Sequence, residues 1–164
     1  MHASNTRKKR KNPGKNPEIS LHNQQAGWKF SEGRLLGDTA RAWEIISSKR
    51  PARTREFKEI EVVLVTPSVS RKWHRLHFED DTPTDVMTFP AAPLGSLVIC
   101  PNIARKQKYL EQLELYEEVL TYIIHGLLHL AGRDDRTEAD FLKMSQEQSR
   151  IRVCVLGNRA EKKQ

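Results

Sequence analysis

The sequence predicts an α/β (α+β) domain: a single four-stranded mixed sheet packed with about five helices, with a metal site at the C-terminal end of a long central helix. Three observations predict it. Short β-branched or apolar runs, such as Val62-Val-Leu-Val65, recur between Pro-containing or polar segments, as strands do. Longer segments between them place apolar residues at helical spacing. A chain of 164 residues, 37% hydrophobic and 30% charged, is long enough for one buried core with polar ends.

Taken in order, residues 1–17 are rich in Lys, Arg, Asn, Pro and Gly and almost free of apolar side chains. Burial there cannot offset the entropy of ordering, so a disordered basic tail is expected. Order begins with a short strand at about 18–23. Residues 32–48 read as a helix, with Leu35, Leu36, Ala40, Trp43 and Ile46 on one face, and Pro51 closes that segment. A buried strand follows at 59–65. Ser68 or Ser70 can cap a helix that runs to about Phe78, with Val69, Trp73 and Leu76 or His77 inward. An acidic loop at 79–83 leads to a strand at 85–89, and Pro90 and Pro93 mark a loop. Residues 97–100 form another strand, ended by Pro101, and a short helix covers about 102–109.

The longest helix spans about 113–131. Its apolar residues, among them Tyr116, Leu120, Ile123, Ile124, Leu127 and Leu128, make a wide stripe, so its C-terminal half is expected to be buried. A last helix covers about 137–155, with Thr137 and Asp140 as a weak cap signal. The folded domain is thus expected over 18–155, with a flexible basic C-terminus at 156–164. Trp28, Trp43 and Trp73 are expected in or near the core.

The net charge of +7 is concentrated at the ends. Residues 1–17 hold Arg7, Lys8, Lys9, Arg10, Lys11 and Lys15 without an acid, and 159–164 hold three cations against Glu161, leaving 18–158 close to neutral. A polyanionic partner is therefore suggested by the tails and not by a folded basic face, with Arg7, Lys8, Lys9, Arg10 and Lys11 as candidate RNA-binding residues. A plain solvated extension is the competing reading. No apolar run approaches the ~18–20 residues that span a bilayer, and the charged N-terminus has no apolar core of a secretory signal. Cys100 and Cys154 form no CxxC pair and fit free thiols in a reducing cytosol better than a disulfide.

The chemistry concentrates in His125-Gly-Leu-Leu-His129-Leu-Ala-Gly132-Arg-Asp134-Asp135. Residues i and i+4 share a helix face, so both imidazoles can reach one metal ion. Gly132 lets the chain reverse after the helix, and the turn can bring Asp134 or Asp135 back towards them. Two nitrogens and a carboxylate oxygen, with a position left for water, make a catalytic zinc site when the atoms lie about 2.0–2.2 Å from the ion. A histidine pair that is only packed and hydrogen-bonded is the alternative, but its burial near an apolar helix end carries a desolvation cost unless paired or coordinated. The general base of the zincin HExxH motif is absent, because that position is Gly126. Asp134 is the nearest substitute by sequence; its other role is to hold the turn or cap the next helix.

The same residues resemble the YbeY family of bacterial rRNA-processing endoribonucleases. His125–Asp134 matches the family motif HGxLHLxGxDH without a gap. Thr84-Asp-Val-Met-Thr-Phe-Pro90 is similar to its TDVLSFP strand, and Gly95-Ser-Leu-Val-Ile-Cys100 falls where the family has GDIxI. The resemblance covers roughly 18–155. It implies a compact fold with a four-stranded sheet, one zinc per chain, cytoplasmic location, single-strand RNA cleavage, processing of the 16S rRNA 3′ end with a part in ribosome quality control, and contact with the small ribosomal subunit and ribosomal proteins. It implies neither a membrane nor an organic cofactor.

Four departures stand out. The family's third metal histidine is Asp135 here, which keeps a His2Asp set (His125, His129, Asp135) but makes a bound metal less electropositive. The family's upstream arginine falls at Phe78 and its asparagine at His74. The acid of GDI is Ser96. The leading expectation is a zinc-dependent endoribonuclease with His125 and Asp134 as candidate catalytic residues. The alternatives are a ribosome-associated assembly factor with a structural zinc, and a small zinc protease, which Gly126 and the TDVMTFP match disfavour.

Overall fold

The computed structural model describes residues 6–10, 16–108 and 112–157. The strands are β1 (Thr6–Arg10), β2 (Glu18–Asn23), β3 (Glu59–Leu64), β4 (Val86–Ala91) and β5 (Leu94–Ile99). The helices are α1 (Glu32–Lys49), α2 (Pro51–Thr54), α3 (Pro67–Phe78), α4 (Pro101–Lys108), α5 (Gln112–Leu130) and α6 (Glu138–Gly157). The sheet runs β1-β2-β3-β5-β4, with β2, β3 and β5 parallel and both outer strands antiparallel. This is the expected α+β class with a mixed sheet.

Strand alternation divides the core between the two sheet faces. Ile60, Val62 and Leu64 of β3 and Leu97 and Ile99 of β5 face the large cluster that includes Trp43, Leu120, Ile124 and Leu128. Val98 and Met87 face a smaller cluster with Val65 and Cys100, against which Val69 and Phe89 pack. Helices α1, α5 and α6 pack on one another, α1 and α5 also against the sheet, and α3 lies over the smaller cluster on the other face. Both cysteines are free, Cys100 buried and Cys154 exposed.

Five expectations need correction. The four expected strands are present, but a fifth, β1, pairs antiparallel with β2. Within the expected disordered stretch 1–17, Thr6–Arg10 is therefore a strand. An edge strand is held by main-chain hydrogen bonds to its neighbour, so lack of apolar side chains does not forbid it. Lys11 and 158–164 lie outside the described residues. Pro51 does not simply end a helix: it takes the first position of α2, where a missing N–H costs nothing. Likewise α3 starts at Pro67 with Thr66 as its N-cap, and Ser68 and Ser70 fall inside it. Buried Ser70 instead ties the loop to the helix, donating to the Thr84 carbonyl at 2.6 Å and accepting from the Thr84 N–H at 3.0 Å.

The fourth concerns α3's outer face. Trp28 and Trp43 are buried, but Trp73 is 40% exposed and Leu76 71% exposed. Among the described residues no further layer covers α3, and its aromatic residues lie at the surface, where Trp73 and His77 both contact Phe89 of β4. Pro90 belongs to β4 and not to a loop. β4 is an edge strand, where a residue without an N–H is tolerated.

Candidate metal centre

Helix α5 carries the two histidines, and its length and wide apolar stripe fix it against the sheet. Gly126 marks the closest approach. A Cβ there would stand 2.5 Å from Leu97 Cδ2 and 3.0 Å from Thr88 Oγ1. The residue after His125 therefore faces the sheet, and a glutamate does not fit there. This explains in packing terms why the zincin base is missing.

The end of α5 is a Schellman turn. The Arg133 N–H donates to the Leu128 carbonyl at 2.9 Å, and the Gly132 N–H to that of His129 at 2.9 Å. Gly132 takes φ +83°, which L side chains rarely adopt. The reversal brings Asp135 back over the histidines. His125 Nε2 and His129 Nε2 lie 3.0 Å apart, and Asp135 Oδ2 lies 3.6 Å from each. Among the described residues these three form a group able to hold a metal ion.

The other ring nitrogens settle which atoms face inward. His129 Nδ1 lies 3.1 Å from the Arg133 carbonyl, which can only accept, so Nδ1 carries the proton. His125 Nδ1 lies 3.1 Å from Gln148 Oε1, which accepts from a proton on that nitrogen. Both Nε2 lone pairs then point at each other and at a carboxylate. Three acceptors converging this way repel unless a cation sits among them. Ligand atoms of a four-coordinate zinc lie roughly 3.3 Å apart, between the 3.0 and 3.6 Å observed. The donor set fits a zinc ion. Burial pushes the His125 pKa below its ordinary value, and His129 adds to the shift, which favours the neutral ring that binds metals.

Asp134 is not part of the trio. Its Oδ1 accepts from the Asp135 N–H at 2.9 Å and its Oδ2 pairs with exposed Arg136 at 3.1 Å, so it holds the turn. Asp85 immediately precedes β4, and its Oδ1 accepts from the Val86 N–H at 2.9 Å. Its charge bears on both His125 and Tyr122. Burial, then the Asp85 and Glu118 carboxylates, push the Tyr122 hydroxyl well above its ordinary pKa, so it stays protonated. Apart from Asp135 itself, the positions expected to depart from the family pattern lie away from the trio. Ser96 donates to Glu61 of β3 at 2.7 Å, His74 Nδ1 bonds the Thr82 carbonyl at 2.8 Å, and Phe78 is 52% exposed. Arg7, Lys8, Lys9 and Arg10 fall on β1, at the sheet edge opposite β4.

Tyr122, Arg133, Glu147 and Gln148 were not singled out by the sequence. Tyr122 stands three residues before His125, on the same helix face, and that spacing is a usable signal. Gln148 and Glu147 reach the site only through the packing of α6 on α5, which leaves no local trace.

The sequence matches the family described as Endoribonuclease YbeY over residues 20–153. An Endoribonuclease YbeY of Protochlamydia amoebophila is 35% identical over 140 residues, 80% of this chain and 89% of the relative. One of Sulfurimonas denitrificans is 38% identical over 100 residues, 57% of this chain and 70% of the relative. The solution structure of a Thermotoga maritima protein superposes with a TM-score of 0.58 at 25% identity, covering 88% of this chain and 91% of that one.

Proposed function

The chain belongs to the YbeY endoribonuclease family, and on that premise we propose that it is a zinc-dependent, single-strand-specific endoribonuclease of late rRNA maturation. It acts at the 16S rRNA 3′ end and in ribosome quality control, in the cytoplasm, in contact with the small subunit and ribosomal proteins. RNA is the substrate that the relatives' names imply. Among the described residues no helix is long and apolar enough to cross a membrane. The observation that carries the proposal is the convergence of His125 Nε2, His129 Nε2 and Asp135 Oδ2 within 3.6 Å at the end of the matched motif.

His125, His129 and Asp135 hold one zinc. When bound, zinc acidifies a water and polarises a phosphoryl oxygen. The protein's own contribution is orientation. Gln148 and the Arg133 carbonyl keep the Nδ1 protons outward, so both Nε2 lone pairs stay free. Tyr122, held protonated by burial and by the Asp85 and Glu118 carboxylates, is a neutral single-proton donor beside the site. Arg7, Lys8, Lys9, Arg10 and Lys11 add salt-dependent affinity for the RNA backbone.

Asp134 is the nearest base by sequence, but its carboxylate is occupied in the turn. That favours one second reading: an assembly factor in which zinc is structural and no bond is cut. Incubating metal-loaded protein with single-stranded rRNA separates the two. Cleavage that disappears in His125→Ala supports the nuclease, whereas RNA left intact by both proteins supports the assembly factor.

A further inference from the structure

Helix α6 presents two adjacent polar residues to the metal centre from outside it. Gln148 reaches His125 Nδ1 directly, at 3.1 Å. Glu147 is only 4% exposed, on a helix face otherwise buried through Met144, Ile151 and Val155. Its Oε2 accepts from Arg133 Nε at 2.7 Å, also contacts Arg133 Nη2, and lies 3.6 Å from Arg50 Nη2. A buried carboxylate carries a desolvation cost that an apolar residue of similar volume avoids. Here that cost has a geometric return, because the Arg133 carbonyl is the acceptor that orients His129.

We infer that Glu147 and Gln148 are positioning residues for the metal centre, Gln148 through His125 and Glu147 through Arg133 to His129. The inference rests on reading His125, His129 and Asp135 as metal ligands. Neither residue touches the trio's ligand atoms. Each fixes a ring so that its Nε2 lone pair points inward, and an acceptor on Nδ1 raises the basicity of the ligating nitrogen.

The sign of the response separates positioning from packing. Gln148→Leu removes the acceptor and keeps the volume. Gln148→Glu keeps the acceptor and strengthens it with charge. If Gln148 merely packs, Leu is harmless and Glu is the damaging change; if it positions, the order reverses.

The test is Co2+ and Zn2+ affinity of the full chain, measured by chelator competition, with the Co2+ visible band as a reporter of ligand geometry. Gln148→Leu is expected to weaken binding about 10- to 100-fold and to shift the band. Gln148→Glu is expected to bind at least as tightly as the wild type with the wild-type band. Glu147→Gln is expected to weaken binding about tenfold, at the low end of the same range. Gln148→Leu binding as tightly as the wild type overturns the inference, and so does Gln148→Glu binding tenfold more weakly. If Gln148→Leu does not fold, the Gln148→Glu result decides. Assaying RNA cleavage in parallel keeps the two proposals apart. The predicted affinity order without cleavage defeats the nuclease reading and leaves the positioning role intact; unaltered affinities with His125-dependent cleavage do the reverse.

Discussion

The two faces of the sheet use polar and aromatic residues in opposite ways. On the α5–α6 side, polar groups are partly or fully buried and hold one another at fixed distances: Gln148 on His125, the Arg133 carbonyl on His129, Glu147 on Arg133. On the α3 side, Trp73 and Phe78 are at the surface, and the ion pair of Arg71 with Asp81 stands in solvent. The departures from the expected family pattern fall in both regions. At the candidate metal centre the one departure, Asp135, places a carboxylate oxygen 3.6 Å from each histidine. On α3, His74 and Phe78 change the chemistry outright.

Substitutions can break this contrast or sharpen it. The largest effect is expected at Gly126. Gly126→Glu forces a charged side chain against Leu97 and Thr88, and overpacking with an unpaired buried charge costs on the order of 3 kcal/mol or more. Urea unfolding of the metal-free protein measures it; a stable Gly126→Glu protein means that α5 does not sit this close to the sheet.

Gly132→Ala comes next. It places a Cβ on a φ of +83°, with Arg53 Cγ 3.3 Å away, for an expected loss of about 1–2 kcal/mol together with weaker zinc binding. An unchanged melting temperature removes the Schellman turn from the account. Trp73→Ala is expected to cost less, about 0.5–1.5 kcal/mol for a lost aromatic pair, and to leave zinc affinity unaltered. A zinc effect there would join the two faces and end the contrast.

Asp81→Asn is the smallest, with a melting temperature indistinguishable from the wild type. Its pH behaviour gives a finer check. Hydrogen bonds from Arg71 hold the Asp81 pKa below the usual carboxylate value, and Thr82 does the same for Asp80. The stabilisation is present above the unfolded pKa of about 4 and is lost as pH falls through the lower folded values. Between neutrality and about pH 5, thermal melts of wild type and Asp81→Asn should therefore run parallel.

Much of this was legible in the residues. The period of apolar positions located every long helix, and the i, i+4 histidines with a glycine stop located the turn that returns Asp135. Three kinds of feature were not legible. Pairing of β1 rests on main-chain groups that every residue carries. The exposure of Trp73 depends on whether another layer covers α3, which an amphipathic pattern does not encode. The roles of Gln148 and Glu147 depend on α6 lying across α5. Spacing alone left Asp134 and Asp135 interchangeable, the family resemblance pointed to Asp135 as the ligand, and the turn geometry brings Asp135 and not Asp134 to the histidines.

The central claim is that His125, His129 and Asp135 share one metal ion, and zinc titration calorimetry on wild type and Asp135→Ala tests it most directly. The wild type should bind one zinc per chain, and Asp135→Ala should bind it at least tenfold more weakly, since a ligand matters no less than the outer residues that orient it. Equal stoichiometry and affinity in the two proteins would contradict it.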